Sequence, residues 1–478
     1  MAHKFFKFLF LLLVLGYVPP TVNAEEYEDW MGTYYQGKKL GFSNFTFKRS
    51  GDIVVLNSKV FIRLQSRGID QSTSFTQQTE LSLDWKVKNF SLLQEIMGSR
   101  QKVEGDVRNG KLFYHVTSLG FDKKDKVSFP ADMALTATFL LNIVKEGLKV
   151  GKRGTLPVFI EPYQIPSTLE YQILRKETIE VQEGRFDTFV IHHRISGIES
   201  TLWVTESGRV IRERSPQGFE SVVEPEHVAR DLGDEVVSVG SIITLSLVKP
   251  RHAIRNSEDR HTLKLKMSKV GGPDLIPQDH RQKILNTVKE SNGTFMATVL
   301  ISSEPRGVTE PALLPISQFN GPDFLGDTPE VQKNHPQIRA LARELVGDVA
   351  DSWRAARDIN LWVYTNLEKV LADTVTAVDA LRERRGECQS HTYLFAAIAR
   401  AAGIPTKIVN GLVYSSQYNG FLYHAWPEVY VGEWRALDPT LGQHRVDATH
   451  IKLSESGDSH PFKLMEFIGK IQIETIEN

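Results

Sequence analysis

Near residue 326 the hydrophobic pattern of this chain changes period, and that change constrains the fold more than any other feature. Upstream, apolar residues alternate with polar ones in short runs bounded by turn residues, as in strands with one buried face. Downstream they recur at three- and four-residue spacing, as in helices packed along one face. With 478 residues the chain is also too long for one ordinary core, since single domains hold roughly 100–200 residues. The expected fold class is multidomain α+β, with β-rich N-terminal regions followed by a C-terminal α+β domain.

Residues 25–225 predict an antiparallel, curved sheet. Asn44–Phe47, Ile53–Leu56, Val60–Leu64 and Leu112–Val116 read as strands, separated by turn signals such as Ser50-Gly51-Asp52 and Glu206-Ser207-Gly208. Arg108-Asn109-Gly110-Lys111 predicts a tight hairpin, because Asn-Gly accepts positive φ at both central positions. One helix is expected within Ala131–Glu146. A second β-rich region is expected over 226–325, with strands at Val236–Leu247, Thr262–Met267 and Thr294–Ile301. Gly321-Pro322-Asp323 and Gly326-Asp327-Thr328-Pro329 mark its end. From there Ile338, Leu341, Ala342 and Leu345, then Ala355, Ile359, Trp362 and Val363, predict two helices, the second capped by Asp351 or Ser352. Residues 326–455 are the expected third domain, and 456–478 a polar, partly helical tail.

The N-terminus predicts an export signal over residues 1–24. Lys4 and Lys7 precede an apolar run from Phe8 to Val18; Pro19 and Pro20 end it, and Val22-Asn23-Ala24 offers small residues for cleavage. The run is about half the roughly 20 residues that a spanning helix needs, although an uncleaved anchor is the alternative reading. The expected location is therefore periplasmic or extracellular, with no stable membrane span after cleavage. Lys and Arg number 57 against 58 Asp and Glu, so no overall field draws the protein to nucleic acid, and no zinc-finger or helix-turn-helix pattern accompanies the charge balance.

Export makes the cysteine count informative. Oxidising compartments favour paired cysteines, yet this chain has one, Cys388. A lone cysteine can be a small buried hydrophobe or a working thiol. Its surroundings favour the thiol. Leu394, Ala397, Ile398 and Ala401 share a helical face, and Gly403 and Pro405 stop the helix, so Cys388 falls in the first turn. There, unpaired N–H groups and the positive end of the helix dipole stabilise a thiolate and can hold an oxyanion. Gly386 leaves room for a substrate. Phe421–Val431 reads as a strand with His424, Trp426 and Glu428 on one side. Trp434-Arg435-Ala436-Leu437-Asp438-Pro439-Thr440 follows. A thiol at a helix start, a strand histidine and an aspartate at the end of the next strand are the components of a Cys–His–Asp triad.

These segments resemble the transglutaminase-like superfamily, whose core is related to the papain fold. The landmarks are Gly386-Glu387-Cys388, Arg400 with Gly403-Ile404-Pro405, His424-Ala425-Trp426, and Trp434 through Thr440, spread over about residues 330–450. The resemblance implies Cys388 as nucleophile, His424 as general base and Asp438 as the carboxylate that orients the histidine. It implies action on amide bonds of a protein or peptide substrate, cell-wall peptides included; the export signal and the lack of a calcium loop favour hydrolysis over cross-linking to a lysine amine. A non-catalytic binding module on the same scaffold is the reading from another class. No cofactor and no metal site is expected, and no EF-hand loop implies calcium. His391, Glu428, Trp353, Trp362, Arg382, Arg384 and Arg385 are secondary candidates, each with a simpler structural explanation. One point of register is open: a two-residue loop at Gly432-Glu433 would place Asp438 opposite Pro427, on the wrong side for His424, so the turn has to be wider or a strand has to bulge.

Overall fold

The computed structural model describes residues 26–66, 69–96, 98–234, 236–238, 247–316, 319, 321–370, 376–457, 463–467 and 469–476. The expected export signal, and most of the strand expected at Val236–Leu247, lie outside them. Two compact units divide the chain, Ala2–Ser241 and Ile242–Asn478.

The first unit is built on a 15-stranded sheet. From β1 (Glu26–Tyr35) to β8 (Phe121–Ser128) each strand pairs with the next, so local hairpins build half of the sheet. On the other side of β1 lies β15 (Phe219–Val223), and successive neighbours lead back to β10 (Arg153–Ile160) and the two-residue β9 (Ala134–Leu135). The Asn-Gly turn forms as its sequence predicts: Arg108 pairs with Lys111, and Asn109 and Gly110 have φ of 50° and 70°. Ile53–Leu56 and Val60–Leu64 lie in one long strand, Ile53–Ser66, because Asn57-Ser58-Lys59 keeps the alternation instead of breaking it. The helix expected within 131–146 is confined to α1 (Phe139–Lys145), with Phe139, Leu140, Leu141 and Ile143 buried; β9 takes part of the remainder. A second short helix, α2 (Glu226–Arg230), follows the sheet.

The second unit is α+β. Helices α3 (Pro336–Val346) and α4 (Ser352–Asn366) form where the periodicity places them, and Asp351 caps α4 by accepting from Arg354 N at 2.9 Å. A shorter helix, α5 (Ala377–Glu383), starts at Thr376, whose hydroxyl oxygen accepts from Asp379 N. Then comes α6 (Cys388–Ala401), buried from Gln389 to Arg400. It is the central helix of the apolar cluster that also holds Ile338, Ala355, Ile359 and Val429. A four-stranded sheet lies beside it in the order β23 (Trp434–Ala436), β22 (Gly420–Tyr430), β21 (Thr406–Ser415), β24 (Ile451–Glu455). A two-residue parallel pair, β19 (Glu368–Lys369) with β20 (Arg385–Gly386), immediately precedes Cys388.

The strands expected at Thr262–Met267 and Thr294–Ile301, in a separate 226–325 region, belong to this same unit. β16 (Thr262–Val270), β17 (Gln282–Lys289) and β18 (Phe295–Ser302) form a second four-stranded sheet, completed by β25 (Gln472–Thr475) from the segment expected to be a tail. Its core residues Leu265, Met267, Val299 and Ile301 share one cluster with Leu412, Phe421, Ile451 and Leu453 of the other sheet. Among the described residues no helix is long and apolar enough to cross a membrane.

Candidate active site

Cys388 opens α6 and is half-buried, with Glu387 at the N-cap in extended conformation and no side-chain cap on the helix. His391, one turn on, faces the carbonyl of Glu387 with its Nδ1 at 2.9 Å, and burial pushes its pKa down. It is a neutral buttress for the residue before the thiol, not a partner in a metal site with it.

His424 sits on β22 opposite Gly411 of β21. Gly411 is required there by close approach: a Cβ would stand 1.9 Å from the Ile451 carbonyl oxygen and 2.7 Å from the Trp426 ring. Thr392 ties the helix to the strand by donating its hydroxyl to the Ala425 carbonyl at 3.0 Å. The nucleophile helix and the histidine strand are therefore joined by a hydrogen bond one residue from His424.

The structure resolves the question of register. Tyr430 pairs with Trp434, Val429 with Arg435 and Glu428 with Ala436, so the loop holds three residues instead of two. Val431 N donates to Glu433 O across it, and Gly432 takes a φ of 103°. The extra residue moves Asp438 from opposite Pro427 to the side shared by His424 and Trp426. His424 Nε2 and Asp438 Oδ2 are 2.6 Å apart, with Asp438 fully buried and His424 8% exposed. The remaining ring nitrogen, Nδ1, is the one left to face the Cys388 thiol, whose pKa the imidazole helps to lower.

The electrostatics follow from burial and charge. Burial alone would lower the His424 pKa, but the charge and hydrogen bond of Asp438, assisted by Cys388, outweigh it and push the imidazole up to about 10. Burial would raise Asp438, yet the imidazoles of His424 and His450 hold its carboxyl well below the usual range. At the thiol, burial raises the pKa, and His424 is among the groups that lower it.

Two residues that the sequence did not single out complete the group. His450 Nε2 lies 3.1 Å from Asp438 Oδ2, and its Nδ1 lies 3.3 Å from Asp447 Oδ1. The other Asp438 oxygen accepts from the backbone N–H groups of Thr440 and Leu441 at 2.8 and 3.0 Å. His424, Asp438 and His450 are the one group among the described residues whose ligand atoms, all within 4.8 Å, could hold a metal ion. The contacts between them, at 2.6 and 3.1 Å, are of hydrogen-bond length.

The secondary candidates serve the framework. Glu428 is a network carboxylate: Lys452, buried, donates to it at 2.7 Å and also pairs with Asp279 and Glu455 at 2.6 and 3.1 Å. Trp353 is buried in the helical core, and Trp362 is half-buried beneath the Arg384 guanidinium, 4.6 Å from its ring. Arg385 reaches Glu383 at 3.8 Å, and Arg382 is exposed in the last turn of α5. Arg400, the landmark arginine, binds the carbonyls of Thr406 and Gly326 and so fixes the exit of α6.

A helix that presents a thiol to a sheet-borne histidine and its carboxylate is the arrangement of a papain-type thiol fold. The profile of the transglutaminase-like superfamily matches residues 339–439, from α3 through Asp438, and the C-terminal unit of this chain carries a domain of that superfamily. No curated protein matches. Among solved structures, a candidate cysteine protease from Cytophaga hutchinsonii is 17% identical with a TM-score of 0.33, covering 46% of this chain and 87% of its own. A β-barrel-like protein of a domain of unknown function from Brucella abortus is 8% identical with a TM-score of 0.34, covering 41% and 94%. A candidate protease from Parabacteroides distasonis is 11% identical with a TM-score of 0.20, covering 74% and 68%. These likenesses are distant.

Proposed function

We propose that this protein is an exported thiol enzyme that opens amide bonds of a protein or peptide substrate through Cys388, His424 and Asp438, with water as the usual acceptor. The observation that carries the reading is the buried 2.6 Å contact between His424 Nε2 and Asp438 Oδ2, with Cys388 at the start of the helix that packs against the histidine strand. With the imidazole raised to about 10 and the thiol lowered from its ordinary value, the pair is poised to react as thiolate and imidazolium. The thiolate attacks the amide carbon and forms a C–S bond, and the oxyanion leans on the N–H groups at the start of α6. The imidazolium passes its proton to the leaving nitrogen as the C–N bond breaks, leaving a thioester and a neutral imidazole. His424 then takes a proton from the incoming water, which attacks the thioester and releases a carboxylic acid and the thiolate. If a lysine amine enters instead, the same steps yield a cross-link.

The test offers the purified protein casein, peptidoglycan fragments and a dansylated amine. New carboxyl termini without dansyl incorporation are expected. Dansyl incorporation into casein would move the assignment to transamidation. Neither product, with Cys388 intact and never acylated, would leave a binding module.

A further inference from the structure

His450 and Asp447 are fully or almost fully buried directly behind the site and have no part in the steps above. We propose that His450, anchored by Asp447, is a positioning residue for the Asp438 carboxylate: it donates Nε2–H to the same oxygen that faces His424, fixing that carboxylate and sharing its charge. This rests on the triad reading.

The geometry leaves little freedom. An ionised carboxylate is acceptor-only, so the Nε2 that faces Asp438 Oδ2 at 3.1 Å carries a proton. The Nδ1 that faces Asp447 Oδ1 at 3.3 Å meets a second acceptor. An imidazole between two carboxylates is satisfied on both sides only as imidazolium, and its raised pKa agrees. Asp447 is itself held, by Thr449 N and Oγ1 on Oδ1 and by Gln443 Nε2 on Oδ2. The Trp426 ring stands edge-on to His450 at 5.2 Å and lies 6.2 Å from His424, closing the space around both imidazoles. Arg281 binds the carbonyls of Asp447 and His450 at 2.9 and 3.5 Å and completes the charged groups around the loop.

The result is an alternating row from Cys388 through His424, Asp438 and His450 to Asp447. The chemical consequence concerns His424. Asp438 alone makes it a strong base, good at holding a thiolate and poor at releasing its proton to a leaving amine. A second imidazolium on the same oxygen, with ring centroids 5.9 Å apart, lowers that basicity while keeping the carboxylate in place.

The experiment follows iodoacetamide alkylation of Cys388 against pH in the full chain and in His450→Gln, which keeps a donor but removes the charge. In the wild-type profile the lower inflection marks thiolate formation and the upper marks loss of the His424 proton. In His450→Gln the upper inflection is expected to rise by about 1 pH unit. If His450→Gln does not fold, His450→Asn removes the same charge and is expected to shift the inflection in the same direction. A normal wild-type ion-pair profile with an unmoved upper inflection in the folded variant would overturn the proposal and leave the triad standing. An ordinary free-thiol profile in the wild type would remove the triad reading itself.

Discussion

Asp438 ties both histidines of the site to the backbone of the turn that follows it. Its two oxygens accept four hydrogen bonds, from His424, His450, Thr440 N and Leu441 N. Asp438→Asn keeps the volume and removes the charge. His424 then loses the interaction that holds its pKa at about 10, so the ion pair should weaken at neutral pH. Turnover is expected to fall by about 10⁴, as when a triad carboxylate is made neutral, with substrate affinity little changed; steady-state kinetics on the substrate found above checks this. A loss of less than tenfold would mean that Asp438 does not orient the histidine. The placement of Cys388, His424 and Asp438 was legible in the sequence because each lies in a segment with local grammar: a helix start, a strand and a strand end. His450 was not legible. It lies beyond the landmark segments, and Asp447-Ala448-Thr449-His450 carries no pattern that distinguishes it from an ordinary polar turn. Only the three-dimensional return of that loop to Asp438 gives it a role.

At the scale of elements, one contact ties the helix to the sheet, and one close approach packs the strands of the sheet together. Thr392 donates to Ala425 O, and replacing it with Val leaves that buried carbonyl short of a partner, at a cost of about 1–2 kcal/mol. Thr392→Val should therefore lower the denaturant midpoint and slow alkylation of Cys388 together; a lower midpoint with unchanged thiol reactivity would show that the contact is structural only. Gly411→Ala puts a Cβ against the Ile451 carbonyl and the Trp426 ring. Because the obstacles are backbone and a fully buried indole, destabilisation of at least ~2 kcal/mol is expected by denaturant unfolding. A neutral result would mean that β24 can move away from β21. Helix positions α3, α4 and α6 were legible because their apolar spacing runs for several turns. Strand β17 was not: Gln282–Lys289 is mostly exposed and lacks an apolar alternation. Its place comes from pairing with β18, which local sequence does not encode.

For the whole molecule, the α+β class and the shift from sheet to helix were legible in hydrophobic period, while the partition of the chain was not. Proline, glycine and charge near 321–329 mark a change of element type, but long-range pairing crosses it. Glu304, buried just after β18, accepts from Ala436 N at 3.0 Å and Arg435 at 3.2 Å, on the strand that leads to Asp438. Arg281 holds the loop of His450. A fragment of residues 326–455 would leave Glu304's partners unpaired and open the shared core, whereas 247–478 keeps both. The longer fragment is expected to fold with a reactive thiol and the shorter to be insoluble; a soluble, alkylatable 326–455 fragment would contradict the shared core. In the first unit, burial pushes Glu213 up to about 8 from an ordinary 4.5, and His193, 4.0 Å away and pushed down to about 3 by burial, gives it no counter-charge. A raised carboxyl pKa favours the folded state at low pH, and that contribution is lost as pH rises from about 4.5 through 8. Hydrogen exchange should therefore show the first unit weakening by roughly 3–5 kcal/mol between pH 5 and 9, and Glu213→Gln should remove this dependence. An equal pH response in both proteins would mean that Glu213 is ionised in the fold. Export belongs at this scale too: protein recovered from its native compartment should begin at Glu25, and a retained Met1 would contradict the cleaved signal.

The central claim is that Cys388 is an activated thiol paired with His424, and alkylation of the native protein across pH reads it directly. Paired or helix-terminal cysteines ionise at roughly 3.5–7.5 instead of ~8.5. The wild type should therefore react with iodoacetamide well below pH 8, and His424→Ala should move the profile toward that of a free thiol. Alkylation only after denaturation, or an ordinary profile unchanged by His424→Ala, would contradict it.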